Sequence, residues 1–239
     1  MITVRPSDER GRFDHGWLRS AHSFSFGQYH DPAHMGFGDL RVINDDVVAP
    51  GKGFDTHPHR DMEIVTFVLS GALEHKDSAG HGAVLRPGEA QRMTAGRGIF
   101  HSEFNHSKSE PVRLLQIWIH PERKGLDPGH EQMPFPDAER RNRLRAIATP
   151  DASDPATGAK ALKIHADARI FATTLDEGAE ATLEVKPGRR VWVQAATGSL
   201  LVNGVRLDAG DGAAATDETA LTLRGASKDG AEALVFDLA

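Results

Sequence analysis

The chain contains no cysteine among its 239 residues. Disulfides, thiolate-held zinc and thiol redox sensing are excluded with it. Aromatic residues are sparse at 6%, and no apolar run approaches the ~20 residues that cross a bilayer as a helix. Charge of one sign is also missing as a block. The formal net charge is -6 with no strongly basic segment, so the electrostatic footprint of a nucleic-acid binder is absent. Neither direct nucleic-acid binding nor a membrane partner is expected. Residues 1–10 hold no apolar stretch of the kind found in signal peptides, and a soluble, cytoplasmic protein is the expectation.

What the chain does have is glycine, proline and histidine. The 24 glycines and 13 prolines favour many turns and short strands over long helices. The first half reads as a succession of strands, over 40–43, 63–69, 73–76, 91–94, 99–105 and 112–119, separated by turns such as Arg86-Pro87-Gly88-Glu89 and Gly96-Arg97-Gly98. From His120 to about Pro150 the pattern lapses at Pro121, Pro128, Pro134 and Pro136, and residues 139–145 predict a helical turn or two with arginines on a solvated face. The second half returns to strands and turns. It includes a hairpin over 200–207 about Asn203-Gly204. The expected architecture is all-β, with two antiparallel β-barrels over 1–120 and 151–239 and a Pro-rich connector over 121–150.

The 13 histidines are the chemistry-bearing group. Thr56-His57-Pro58-His59 and Phe100-His101-Ser102-Glu103 each put two metal-capable side chains at i and i+2. On a strand those positions share a face, so two such strands side by side aim three imidazoles and one carboxylate at one point. Without thiolates, this donor set suits Fe(II), Mn, Co, Ni, Cu or Zn. Glu63 shares strand parity with His57 and His59 and competes with Glu103 for the carboxylate role.

The double pattern, with Gly51, Glu63 and Gly71 about the first pair and Gly96, Gly98 and Asn105 about the second, resembles the two motifs of the cupin superfamily. A closer resemblance is to the pirin family, and to its short bacterial members. It is carried by Phe24-Ser25-Phe26, Met35-Gly36-Phe37-Gly38, residues 40–46, residues 57–63, residues 93–103 and Leu115-Gln116-Ile117-Trp118-Ile119. The resemblance is dense over the first half and looser beyond the connector. It implies a bicupin fold whose N-terminal barrel binds one divalent metal, usually iron, through His57, His59, His101 and Glu103. Glu63 then becomes a hydrogen-bond or ion-pair partner of the ligands.

The resemblance also implies a quercetin 2,3-dioxygenase activity. A flavonol would chelate through its 3-hydroxyl and 4-carbonyl, Glu103 would accept the hydroxyl proton, and dioxygen would open the ring with loss of carbon monoxide. The competing reading is a non-catalytic, metal- or redox-responsive regulator that binds a protein partner. Outside the motif, His22, His30 and His34 divide between the pocket mouth and the surface. Phe24, Phe26, Met93 and Phe100 divide between pocket wall and core. His75, His81 and His106 are left out as unpaired. The second half has one histidine, His165, and Trp192 is assigned to its core, so that barrel is expected to be without metal.

Overall fold

The computed structural model describes residues 1–239. The chain is nearly all strand, and its one α-helix is the single turn Asp137–Arg140. No helix is long and apolar enough to cross a membrane. Two compact units form.

One unit comprises residues 11–134 and 162–166. Its larger sheet runs in the order Gly129–Pro134, Glu89–Thr94, Glu63–Ser70, Val112–Ile119, Leu40–Val48, Leu18–His22, Gly11–Asp14. Its smaller sheet runs Gly53–His59, Ile99–Asn105, Leu73–Asp77, Gly82–Leu85. Every pairing in both sheets is antiparallel. The strands alternate as half-buried strands must, and inward residues such as Leu18, Val48, Val68, Leu73, Leu85, Val112 and Leu114 form one apolar cluster. Each such side chain contributes about 1.5–3 kcal/mol by leaving water.

The other unit comprises residues 1–10, 135–161 and 167–239. Its larger sheet contains Ile2–Arg5, Gly212–Ala215, Arg190–Thr197, Ala231–Leu238, Ala168–Leu175 and Arg145–Thr149 in that order, and its smaller sheet runs Glu180–Glu184, Ala220–Gly225, Ser199–Val202, Val205–Asp208. The hairpin at Asn203-Gly204 is present, with φ of 46° and 84° at the two central residues. That is the left-handed pair a tight two-residue hairpin turn requires. Trp192 is buried in this unit.

Two features differ from the expected division at 120 and 150. Residues 1–10 fold with the C-terminal strands, because Ile2–Arg5 pairs antiparallel with Gly212–Ala215. Local pattern carries no record of such a pairing across two hundred positions. The proline-rich stretch is also not a plain connector. Gly129–Pro134 pairs with Glu89–Thr94 at a sheet edge, where a terminal proline loses no ladder bond. Arg145–Thr149 pairs with Ala168–Leu175. The solvated arginine face is corrected in part, since Arg141 and Arg143 are exposed but the other two arginines are not. Arg140 and Arg145 are buried. Arg140 donates to Thr174 at 2.9 Å and pairs with Glu232. Arg145 pairs with Glu139 at 3.0 Å and lies over the Phe135 ring. Glu232 is 92 residues from Arg140, and Glu139 is six residues from Arg145 on the helical turn.

Candidate metal centre

The Gly53–His59 and Ile99–Asn105 strands pair with His101 directly opposite His57. Strand parity then brings His59 to the same face, and the three imidazole centroids lie 4.5, 4.7 and 4.8 Å apart. A register shift between His101 and Glu103 sets Glu103 opposite Phe54. The backbones approach so closely there that a Cβ on Gly53 would stand 2.3 Å from the Glu103 carbonyl oxygen, so glycine is required. Gly96 has the same role in the preceding turn. It sits at φ 48°, and a Cβ would meet the Leu126 carbonyl oxygen at 2.0 Å.

Hydrogen bonds determine the tautomers. His57 Nδ1 donates to the Asp55 carbonyl at 2.7 Å, which leaves Nε2 as a bare lone pair. His75 Nε2 donates to Asp77 at 3.2 Å, so its Nδ1 is an acceptor and faces His101 Nδ1 at 3.5 Å. Burial pushes Asp77 up, but hydrogen bonds from the His81 backbone and from the His75 and His81 rings outweigh it and hold the carboxyl below its ordinary value. His101 therefore carries its proton on Nδ1 and presents a bare Nε2. The two bare nitrogens, His57 Nε2 and His101 Nε2, face each other at 3.0 Å. Two lone pairs so placed call for a cation between them, either a proton shared as an N–H···N bond or a metal ion bound by both rings. Two ligand nitrogens each about 2.1 Å from one ion, at roughly a right angle, lie about 3.0 Å apart. The residues thus fit a divalent transition metal.

The electrostatics agree. Burial, reinforced by the neighbouring His57, lowers His59 to about 4. Burial, reinforced by His59, His57 and His75, lowers His101 to about 2. Both rings are neutral and ready to ligate near pH 7. Glu103 is fully buried, and burial raises it to about 7. Its Oε2 accepts from Gln116 Nε2 at 2.7 Å, and its Oε1 accepts from Gln91 Nε2 at 2.9 Å and from Thr66 Oγ1 at 3.4 Å. Two groups of metal-capable atoms result: His57, His59 and His101, and His75, His101 and Glu103. His101 belongs to both.

Residues 3–119 match the family model described as Pirin, and residues 147–238 match the quercetinase C-terminal cupin domain. A quercetin 2,3-dioxygenase of Escherichia coli is 45% identical, with 100% of this chain and 99% of that protein covered. A pirin-like protein of Caulobacter vibrioides is 41% identical over 100% of both chains.

This chain belongs to the pirin family.

A solved structure of a bacterial pirin from Escherichia coli in complex with nickel(II) superposes on it with a TM-score of 0.91 at 43% identity, covering 100% of this chain and 99% of that one. The pirin fold accounts for both units, and the all-β bicupin architecture expected from the sequence is present. Within this pirin, Glu63 does not support the histidines. It is buried in the larger sheet, where its carboxylate accepts from Thr94 Oγ1 at 3.1 Å and from the His165 backbone N–H at 3.2 Å. Phe24 and Met93 are core, Phe26 lines a cavity, and Phe100 is exposed. Arg97 pairs with Asp127 at the surface.

Sequence reading missed His75, which stands opposite Glu103 on the neighbouring strand. The signal was present, because His75-x-Asp77 is itself an i,i+2 histidine–carboxylate pair. It also missed His130, whose ring stacks on His75 at 4.6 Å and whose Nε2 donates to Gln91 at 3.0 Å. Thr66 sits between Val65 and Phe67, and Gln116 between Leu115 and Ile117. Buried polar residues in that position announce a hydrogen-bonding duty.

Proposed function

We propose that this pirin is a metal-dependent dioxygenase acting on quercetin or a related flavonol or phenolic, with His57, His59, His101 and Glu103 as ligands to one divalent ion, Fe(II) first among the candidates. Its place among quercetin 2,3-dioxygenase-like oxidoreductases rests on full-length relatives of that name. The observation that carries the metal site is the convergence of His57, His59 and His101, with the Nε2 atoms of His57 and His101 3.0 Å apart.

A bound divalent ion supplies Lewis acidity toward a chelating enol and its neighbouring carbonyl. The protein residues do the rest. Burial raises the metal-free Glu103 carboxyl to about 7, and the Glu103 carboxylate would accept the hydroxyl proton of the chelating substrate. The Gln116 and Gln91 amides and Thr66 hold that carboxylate in one orientation. The Trp118 ring stands edge-on to His59 at 4.9 Å and to Phe26 at 5.2 Å, so an aromatic wall borders the histidines.

The test is metal analysis of the protein as isolated, coupled to quercetin assays with and without oxygen. Loss of the flavonol absorbance should require both metal and oxygen. Metal-loaded protein that leaves quercetin intact while a control dioxygenase consumes it would defeat the reading.

A further inference from the structure

A second set of paired polar residues lies beside the metal centre and takes no part in it. Ser20-x-His22 and Asn44-x-Asp46 are again i,i+2 pairs, on adjacent strands, with His22 directly opposite Asn44 and Ser20 opposite Asp46. All four side chains are buried. Strand parity points the quartet to one face, and all four line a cavity of about 240 Å³ walled by Phe13, Phe26 and Phe54.

Two relationships tie this cavity to the centre. Phe54 lines it and has its ring 6.4 Å from that of His57. The register of the larger sheet also forms one unbroken cross-strand polar row, His22, Asn44, Gln116, Thr66, Gln91. Gln116 and Gln91 donate to Glu103, and Thr66 Oγ1 donates to Gln116 Oε1 at 2.8 Å beside it. The other end of the row is not spent in this way. Asn44 Oδ1 is buried without a hydrogen-bond partner, an unfavourable condition that a ligand donor would relieve. Beside it, His22 Nε2 bonds Ser20 Oγ at 2.8 Å, and Ser20 Oγ donates to Asp46. The floor of the cavity is therefore rich in acceptors, its walls are aromatic, and its volume is below the ~300–1,000 Å³ of whole-ligand clefts.

We infer that Asn44, with Ser20, His22 and Asp46, recognises a hydroxyl-bearing aromatic ring of the substrate, and that Asn44 Oδ1 accepts from a phenolic hydroxyl. A ring between Phe26 and Phe54 would fill the apolar walls, and the volume fits one ring of a larger molecule. The substrate class is thus a planar phenol that chelates at one end and carries hydroxyl donors on a separate ring. This inference rests on the flavonol reading of the metal centre and adds a specificity determinant to it.

The experiment is equilibrium binding to the protein as isolated, without oxygen, read by quenching of tryptophan fluorescence. Quercetin, with two hydroxyls on its pendant ring, is compared with galangin, which has none there. A site built to hydrogen-bond a hydroxyl rejects the analogue lacking it. Wild type should bind quercetin about 10-fold more tightly, and in Asn44→Leu the two dissociation constants should converge to within about 2-fold. Equal affinities in wild type, a preference that survives Asn44→Leu, or no binding of either flavonol would overturn the inference. The wild-type ratio decides it alone if the variant does not fold. Preferential binding without turnover in air would sink the dioxygenase reading and leave the recognition site standing.

Discussion

His101 stands directly opposite His57 across an antiparallel strand pair, and in the neutral tautomers their Nε2 lone pairs face each other at 3.0 Å. Each ring is held in that tautomer by the bond its other nitrogen makes, to the Asp55 carbonyl for His57 and toward His75 for His101. Arrangements of this kind orient ligands before a metal arrives.

His101 is the residue shared by both groups of metal-capable atoms. His101→Ala should lower metal content by at least about 10-fold, because it removes a ligand from each group. Metal analysis after desalting reads this directly, and the strand signal in circular dichroism should persist. Unchanged metal content would take His101 out of the centre.

His75 acts through His101 and is a positioning residue. His75→Phe keeps the ring and its stacking on His130 but removes the acceptor facing His101 Nδ1. Metal affinity should fall about 10–100-fold, the usual effect of losing a ligand's outer partner. Competition with a chelator measures it, and His75→Gln, which restores a polar partner, should recover part of the loss. A purely structural role would lower thermal stability and leave the metal affinity of the folded protein alone.

Acid should strip the metal late. His59 and His101 have folded values depressed by burial to about 4 and about 2. Protons compete for these two rings only as pH falls toward those values, well under the ~6.5 of a free imidazole. Glu103, raised to about 7, is the proposed ligand that takes a proton first, so the measurement is made in Glu103→Gln, where metal retained after gel filtration from pH 8 down to pH 4 should hold to about pH 5. Release centred on pH 6.5 in that variant would contradict the burial of His59 and His101.

Asp46 gives a pH effect of opposite sign. Burial raises its folded value to about 7, above its ordinary 3.8. Between those values the folded state holds a proton that the unfolded state has lost, so this group's contribution is full below about pH 4 and is lost as pH rises through 7. Asp46→Asn removes that loss. The variant's melting temperature relative to wild type should therefore rise by about 5 °C from pH 5 to pH 8. A difference that shrinks with pH would reverse the sign and refute the assignment.

The i,i+2 spacing of His57, His59, His101 and Glu103 was legible in the primary structure, because strand parity converts spacing directly into a shared face. The turn glycines and the all-β character were legible for the same local reason. The hairpin at Asn203-Gly204 was too, since only residues tolerant of positive φ make that turn. Local pattern could not reveal register. It does not tell that His101 meets His57, that a register shift moves Glu103 opposite Phe54, or that His75 arrives from the other side.

The chain's own order of residues thus determined the donor types, their parity and the absence of any thiolate alternative. Tertiary structure decided which donors converge and which carboxylate stays outside. Glu63 has the right parity but lies in the larger sheet with Thr94 and His165. It also decided that Arg140 and Arg145 are buried and that residues 1–10 join the C-terminal strands. The reason is physical. Side-chain direction repeats every two residues and is written locally, whereas strand pairing is chosen by the summed burial and hydrogen bonding of segments far apart in the chain.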